Sequence, residues 1–340
     1  MLESNYEELK KVYEEGSVRW IRERQPRPAA PAGGRPAGGP PAGGRPAGGP
    51  PAGGRPDMSP NFNLWNNAVK RFTSFQLWED GAPGFDDRAP LQIQPNLIFI
   101  PAPNQTEKRG TIIIAHGGNF VLRCGHEGFH PALKFADMGF NTAILTYRLV
   151  PYTRFDAIAD MQRAIRLLRS KQDELGITDK VAVMGFSAGG MLSGNCATHF
   201  DYGNPDAEDP IERFSCRPDA AVLCYGAFAT VAFAAEMLKA NPFNVTREKA
   251  AERLYLAPEN NVTADTPPFY IWQTISDDPR NAFVLGSKLT EAGVPFELHC
   301  YETSHHGVGL CDGHDDSGSY DEHLSKWPEP CGRWLKIHGI

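Results

Sequence analysis

The sequence predicts an α/β protein whose mostly parallel central sheet is flanked by helices. From residue 96 onward, short apolar runs typical of buried strands alternate with amphipathic stretches typical of helices. One apolar run ends at Gly185 and passes through a glycine-rich turn into a further helical stretch. Strands and helices that alternate in this way form parallel sheets with helices on both faces. Functional side chains of such sheets gather at the carboxyl ends of the strands.

Each predicted element rests on a local pattern. The run Thr111-Ile112-Ile113-Ile114-Ala115 is mostly β-branched, as expected for a central strand covered on both faces. Apolar residues recur at helical spacing over residues 156–175, and Gly176 ends this predicted helix. The other predicted strands are residues 96–100, 142–147, 181–185, 220–223, 269–273 and 296–301. The other predicted helices are residues 131–138, a helix from 191 onward, 247–256, 281–292 and a last helix toward Trp334.

The first part of the chain differs from the rest. Apolar side chains recur at spacings near three and four within residues 1–25, which predicts an amphipathic helix that packs on the main domain or on a partner subunit. Such a helix would offer a contact between two copies in a homo-oligomer. Residues 26–57 are rich in proline and glycine and repeat the same segment at 31–40 and 41–50, which predicts a disordered linker. Residues 58–340 are then expected to form the folded domain.

Composition and charge argue against several classes of partner. The 340-residue chain has a formal net charge of -7 and no basic stripe in its folded part, which argues against nucleic acid. No apolar run approaches the roughly 20 residues of a membrane-spanning helix, and the first residues are polar and acidic, unlike a secretory signal. The seven cysteines are an odd number without close spacing, which favours reduced thiols. We therefore expect a cytoplasmic protein with neither a nucleic-acid nor a membrane partner.

The stretch around Ser187 carries the strongest chemical signal. Gly185-Phe186-Ser187-Ala188-Gly189 has the G-x-S-x-G pattern of a nucleophile elbow, in the required setting of strand, tight turn and helix. The serine of such an elbow sits on a strained turn, so the residues two before and two after it must lack bulk. The amide that follows, here that of Ala188, points to where an oxyanion would form. The pattern therefore predicts Ser187 as a nucleophile.

A second glycine pair follows the strand at 111–115. In His116-Gly117-Gly118-Asn119-Phe120, the glycines allow consecutive amides to face outward. The amides of Gly118 and Asn119 would then join that of Ala188 in an oxyanion hole. An ordinary tight turn is the alternative, and the presence of the elbow favours the oxyanion hole. We expect His116 to be a structural hydrogen-bonding residue behind the loop.

A serine nucleophile needs a base, and the base needs a carboxylate that orients it. In folds with this elbow the chain order is serine, then acid, then histidine. Asp277 and Asp278 follow the predicted strand at 269–273, and His305 and His306 follow the one at 296–301, so the order fits. Either aspartate is a candidate for the acid and either histidine for the base. The glycine after His306 leaves its ring free to reach the serine and favours it over His305.

The sequence predicts neither a metal nor a cofactor for this chemistry. His314, Asp315 and Asp316 are residue types that bind metals, but their spacing matches no familiar metal site and favours a solvated polar loop.

Five motifs in this order resemble the α/β-hydrolase esterases, most of all the group of acetyl esterases and acetylxylan esterases. The motifs are His116-Gly117-Gly118, Tyr147-Arg148-Leu149-Val150-Pro151, Gly185-Phe186-Ser187-Ala188-Gly189-Gly190, Asp277-Asp278-Pro279 and His305-His306-Gly307-Val308-Gly309-Leu310. The resemblance implies an α/β-hydrolase fold with Ser187 as nucleophile, His306 as base and Asp278, directly before the proline, as acid. Asn119 stands where family members often have a third glycine, a departure expected to alter the pocket beside it.

The resemblance also implies a two-step acyl transfer on a small acylated substrate. It favours the removal of short acyl groups, above all acetyl, from sugar esters such as acetylated xylo-oligosaccharides. The aromatic residues Phe120, Phe129, Tyr225 and Trp272 either line a substrate pocket or belong to the core. Two other functions stay open: an amide-cleaving hydrolase, such as a peptidase or an arylformamidase-like enzyme, and a non-catalytic protein of the same fold that binds a partner.

Overall fold

A computed structural model describes residues 2–15, 59–89, 91–230, 249–302, 306–315 and 317–340. Its strands are β1 Ser74–Gln76, β2 Asn96–Ile100, β3 Thr111–Ala115, β4 Asn141–Thr146, β5 Val181–Phe186, β6 Ala220–Cys224, β7 Phe269–Thr274 and β8 Phe296–Tyr301. Its helices are α1 Leu2–Glu14, α2 Ser59–Arg71, α3 Phe129–Asp137, α4 Arg154–Ser170, α5 Gln172–Leu175, α6 Ala188–Thr198, α7 Ala250–Leu256, α8 Arg280–Glu291 and α9 Pro328–Ile337.

The strands form one eight-stranded sheet in the order β1-β2-β4-β3-β5-β6-β7-β8. The pairs β1–β2 and β2–β4 are antiparallel, and every later pair is parallel. All residues of β2 to β7 are buried, because helices cover both faces of the sheet. Apolar residues of α1, α2, α3 and α9 pack on one face, and those of α4, α6 and α8 pack on the other. The predicted mostly parallel, helix-flanked sheet is confirmed.

The predicted element boundaries agree with the structure to within a few residues, with three differences. The single helix predicted at 156–175 is two helices, α4 and α5, which meet at Lys171. Gly176 caps the second of them in the left-handed conformation, with φ of 66°. The sequence patterns predicted neither α2 nor β1, the three-residue strand that pairs with one end of β2.

Helix α1 packs on the main domain, the first of the two alternatives that its pattern left open. Leu9 and Val12 are buried against the sheet and α3. The Asn5 side chain donates to the Phe99 carbonyl at 2.9 Å and accepts from the Thr73 amide at 2.9 Å. The helix ends at Glu14 and residue 15 lies in a turn. Residues 16–25 of the predicted helix and the predicted linker at 26–57 lie outside the described residues. Within the described ranges, every helix is too short or too polar to cross a membrane.

Candidate active site

Ser187 occupies a sharp turn between β5 and α6. Its backbone has φ of 53°, a left-handed value that is strained for a residue with a side chain. The Ser187 amide donates to the Cys224 carbonyl of the neighbouring strand at 3.0 Å, which holds the turn in place. A Cβ atom on Gly189 would overlap the Ala115 carbonyl oxygen, and one on Gly185 would overlap the Gly189 carbonyl oxygen. The close passage of strand and helix therefore excludes side chains at both positions, as the elbow pattern predicted.

His306 joins this serine to a carboxylate. Its Nδ1 lies 2.7 Å from Asp277 Oδ1 and its Nε2 lies 2.8 Å from Ser187 Oγ. Because a carboxylate only accepts, Nδ1 carries the proton, and Nε2 is left to accept the hydrogen bond of the serine hydroxyl. Thr274 donates to the other Asp277 oxygen at 2.9 Å, which fixes the carboxylate. Burial disfavours the imidazolium, but the hydrogen bond and charge of Asp277 and the charge of Glu127 outweigh it and raise the pKa of His306.

The expected contact between Asp278 and the histidine is not formed. Asp278 has a left-handed backbone with φ of 50°, and its carboxylate pairs with Arg280 instead. The hydrogen bond from Arg280 lowers the pKa of Asp278. The structure therefore places Asp277, and not the expected Asp278, against the His306 ring. His305, the alternative base, lies outside the described residues.

The predicted oxyanion residues lie on two neighbouring turns. Ala115 at the end of β3 pairs with Gly185 near the end of β5, so the loop after β3 begins beside the elbow. In that loop Gly118 and Asn119 both have positive φ, 116° and 55°. Ala188 is the first residue of α6, and the N-terminal end of a helix favours a negatively charged group. The structure thus brings the loop and the helix N-terminus to the same edge of the sheet.

His116 is fully buried behind this loop, as its structural interpretation predicted. Its ring stacks on Tyr147 with centroids 4.5 Å apart and meets Trp65 edge-on at 4.7 Å. Burial and the nearby charge of Arg123 lower the pKa of His116 to about 3, so the ring is neutral. Its Nδ1 donates to the Gly117 carbonyl at 2.7 Å, so the ring both packs behind the loop and bonds to it.

The sequence patterns missed a buried acidic residue beside the site. Glu127, in the short 3-10 turn Gly125–Glu127, accepts from the Gly117 amide at 2.9 Å and from the Tyr225 hydroxyl at 2.8 Å. Tyr225 was expected either to line a pocket or to belong to the core, and it is fully buried against the His306 ring. No local pattern marks Glu127, because its partner Tyr225 lies 98 residues further along the chain. A glutamate four residues before the predicted helix at 131–138 is the one weak signal.

The other aromatic candidates belong to the core. Phe120, Phe129 and Trp272 are all buried. His314 and Asp315 form no group with a third ligand that could hold a metal ion among the described residues, and Asp316 lies outside them.

A serine hydroxyl, a histidine and a carboxylate in hydrogen-bonded sequence, at the carboxyl ends of a parallel sheet, form the arrangement of serine hydrolases. The family model BD-FAE matches residues 98–281, which is more than half of the chain. This chain belongs to the BD-FAE family.

Curated relatives agree with that membership. The chain is 29% identical over 276 residues to endo-1,4-beta-xylanase B of Butyrivibrio fibrisolvens, an alignment that covers 76% of this chain and 40% of the relative. It is 23% identical over 242 residues to an acetylxylan esterase of Xylanibacter ruminicola, an alignment that covers 69% of this chain and 46% of the relative. The chain therefore spans less than half the length of both relatives.

One solved structure is similar to this chain over nearly the whole length of the solved protein. The acetyl ester-xyloside bifunctional hydrolase of Caldicellulosiruptor lactoaceticus superposes with a TM-score of 0.70 at 32% identity, which covers 78% of this chain and 96% of that one. The similarity shows an α/β-hydrolase fold. The chain is thus an esterase-like α/β-hydrolase related to acetylxylan esterases and acetyl ester hydrolases.

Proposed function

We propose that this chain is a carboxylic ester hydrolase that removes short acyl groups, above all acetyl, from acetylated carbohydrate such as xylo-oligosaccharides. The hydrogen-bonded sequence Ser187–His306–Asp277 carries the proposal, because it is the arrangement that makes a serine hydroxyl nucleophilic at neutral pH. The names of two relatives, an acetylxylan esterase and an acetyl ester-xyloside hydrolase, support the substrate class.

The mechanism follows from the roles that each atom can take. His306 Nε2 accepts the proton of Ser187 as Oγ forms a bond to the ester carbonyl carbon. The amides of Gly118, Asn119 and Ala188 donate to the oxyanion of the tetrahedral intermediate, and each such donor stabilises the transition state by roughly 3 to 4 kcal/mol. The intermediate collapses, and the alcohol leaves with the proton from His306. Water then repeats the sequence on the acyl-enzyme and releases the acid.

The carboxylate in this mechanism is Asp277. Its hydrogen bond fixes the His306 tautomer, and its charge stabilises the imidazolium that forms during both steps. The role first assigned to Asp278 passes to Asp277 because Asp278 is paired with Arg280.

We also propose that the protein acts in the cytoplasm. All seven cysteines lie in the described part of the chain, and six of them, Cys196, Cys216, Cys224, Cys300, Cys311 and Cys331, are free thiols. Unpaired thiols suit a reducing compartment. There the substrates would be short acetylated oligosaccharides rather than insoluble polymer.

The test is hydrolysis of acetyl, butyryl and octanoyl aryl esters and of acetylated xylo-oligosaccharides by the wild type and by Ser187→Ala. We expect a preference for acetyl and loss of turnover in the variant, while Ser325→Ala, a serine outside these contacts, keeps wild-type rates. Turnover that survives in Ser187→Ala would contradict the mechanism. Hydrolysis of amides but not of esters would favour the amide-cleaving alternative, and no turnover of either would favour the non-catalytic one.

A further inference from the structure

The proposed mechanism requires a fixed distance between two loops, and both loops connect to one buried carboxylate. The first loop, residues 116–120 after β3, carries the oxyanion amides, and the second, residues 306–309 after β8, carries the base. Glu127 is 2% exposed and belongs to neither loop. Its Oε2 accepts from the Gly117 amide of the first loop at 2.9 Å.

Tyr225 extends the connection to the second loop. Its hydroxyl donates to Glu127 Oε1 at 2.8 Å and accepts from the Gly309 amide at 2.9 Å. Its ring lies edge-on to the His306 ring, with centroids 5.3 Å apart. The Tyr225 backbone has φ of 37°, an unfavourable value for a bulky residue, so surrounding contacts must hold this side chain in place.

A third contact joins the 3-10 turn Gly125–Glu127 to the second loop. His126, the residue before Glu127, donates from Nε2 to the Gly307 carbonyl at 3.0 Å. A Cβ atom on Gly307 would lie 4.0 Å from Glu127 Oε1, so the loop passes directly beside the carboxylate. The 3-10 turn Gly125–Glu127 therefore contacts both loops at once.

We propose, on the basis of the function proposed above, that Glu127 and Tyr225 are positioning residues that set the distance between the oxyanion loop and the histidine loop. Glu127 acts through the Gly117 amide, and Tyr225 acts through the Gly309 amide and the His306 ring. Their side-chain hydrogen bonds go to the two loops and to each other. Misplacing a reacting group by about 1 Å can lower a rate about a hundredfold, so a fixed connection between the two loops has a direct effect on turnover.

The carboxylate also acts through its charge. The described groups that face His306 are Ser187 from the elbow, Asp277 from the turn after β7, Tyr225 from the end of β6, and Glu127. The negative charge of Glu127 favours the imidazolium and adds to the rise in the pKa of His306. Removing the charge and removing the hydroxyl of Tyr225 should therefore have different effects on the pH profile.

The experiment compares Glu127→Gln and Tyr225→Phe in the full chain, with Glu259→Gln as control. Glu259 is also a buried glutamate, but it accepts from the Thr230 amide and hydroxyl instead of from the two loops. The readouts are the pH dependence of kcat/KM on an acetyl aryl ester, and amide hydrogen exchange of residues 116–120 and 306–309. Both are compared at equal folded fraction, determined by thermal unfolding.

We expect both variants to lose kcat, by about tenfold to a hundredfold, with little change in KM. Glu127→Gln shifts the acid limb of kcat/KM to lower pH, whereas Tyr225→Phe keeps the limb in place because the carboxylate remains. Exchange accelerates in both loops in each variant, including the loop that the changed residue does not directly contact. Glu259→Gln changes none of these readouts beyond its effect on unfolding.

Two results would overturn the proposal: wild-type kinetics and exchange in both variants, or losses that equal those of Glu259→Gln at the same folded fraction. If Glu127→Gln does not fold, Tyr225→Phe still decides, because it removes one oxygen and keeps the packed ring. Failure of the proposed function looks different. The wild type would then turn over no ester, while coupled exchange of the two loops would still support the positioning role.

Discussion

The two aspartates after β7 stand side by side in the chain yet occupy different environments. The Asp277 side chain is 13% exposed and lies between Thr274 and His306. The Asp278 side chain is 33% exposed and turns toward Arg280. The left-handed backbone at Asp278 directs the two carboxylates apart, so only the first reaches the histidine.

This difference gives a paired prediction for Asp277→Asn and Asp278→Asn. We expect Asp277→Asn to lower kcat by about 10⁴-fold, the loss typical of the carboxylate in a triad, because the amide favours the wrong histidine tautomer. Asp278→Asn loses only an exposed ion pair and should keep nearly all activity. Steady-state kinetics on an acetyl aryl ester measure both. A larger loss in Asp278→Asn would restore the assignment that the motif implied.

The raised pKa of His306 predicts the acid limb of the pH profile. The base must be neutral, so kcat/KM rises as the pH passes through the pKa of His306 in the free enzyme. Because that pKa lies above the ordinary value of 6.5, the midpoint of the limb should lie above 6.5 as well. Asp277→Asn removes the principal stabilising charge and should shift the midpoint down, while Asp278→Asn should leave it unchanged. A midpoint below 6.5 in the wild type would contradict this account.

At the residue scale, the sequence patterns identified the residues that a local motif marks. They missed the residues whose role depends on contacts that form only in the folded chain. Ser187 is marked by glycines two positions before and after it, and His306 by the glycine that follows it. The structure brings Ser187 Oγ and His306 Nε2 within 2.8 Å. Asp277 and Asp278 carry the same functional group, and only backbone direction and Arg280 separate them. Glu127 owes its position to contacts formed only in the fold, above all with Tyr225, which lies 98 residues further along the chain.

At the scale of elements, a buried ion pair joins the end of β4 to α4. Arg148 follows β4, and its guanidinium contacts Asp160 of α4, with Nη2 and Oδ1 2.9 Å apart. Asp160 also accepts from the Arg148 amide at 2.9 Å and from Trp78 at 3.2 Å. Both charged side chains are almost fully buried, so each depends on the other for compensation of its lost hydration.

Asp160→Asn should therefore destabilise the fold strongly. The variant leaves the buried Arg148 guanidinium only its longer contact with the half-exposed Asp156, at 3.3 Å, and breaking one partner of a buried pair typically costs about 3–5 kcal/mol. The matched control is Asp173→Asn, whose carboxylate pairs with Lys108 at the surface and should contribute less than about 1 kcal/mol. Urea unfolding of the three proteins gives the comparison. Equal losses in the two variants would show that the buried pair is compensated by other contacts.

The elements that the sequence predicted well are those whose own pattern determines them. The buried run of β3 and the strand before the elbow are continuous and apolar, and they lie where predicted. Strand β1 has only three residues, and its strand geometry comes from pairing with β2. The helix predicted at 156–175 breaks at Lys171. The prediction missed this break because a periodic apolar stripe does not record a local change in the direction of the backbone.

At the scale of the whole molecule, α1 completes the cover of one sheet face. The apolar stripe of α1 predicted that this helix packs on another surface, but not whether that surface belongs to the same chain or to a second copy. Leu9 is 3% exposed in contact with that face, and Asn5 bonds to backbone of β2 and of the segment before β1. The Tyr6 hydroxyl donates to Asp137 at the end of α3.

Leu9→Ala should then lower the free energy of unfolding by about 2–5 kcal/mol, as expected for a buried leucine whose loss leaves a cavity. Lys11→Ala, an exposed position on the same helix, should change it by less than about 0.5 kcal/mol. The measurement is urea unfolding at several protein concentrations, together with the native mass of each variant. Because the stripe packs within one chain, the loss should be the same at every concentration and the mass should not change. A loss that shrinks as the protein is concentrated, with a smaller native mass for Leu9→Ala, would show instead that α1 covers the sheet of a second copy.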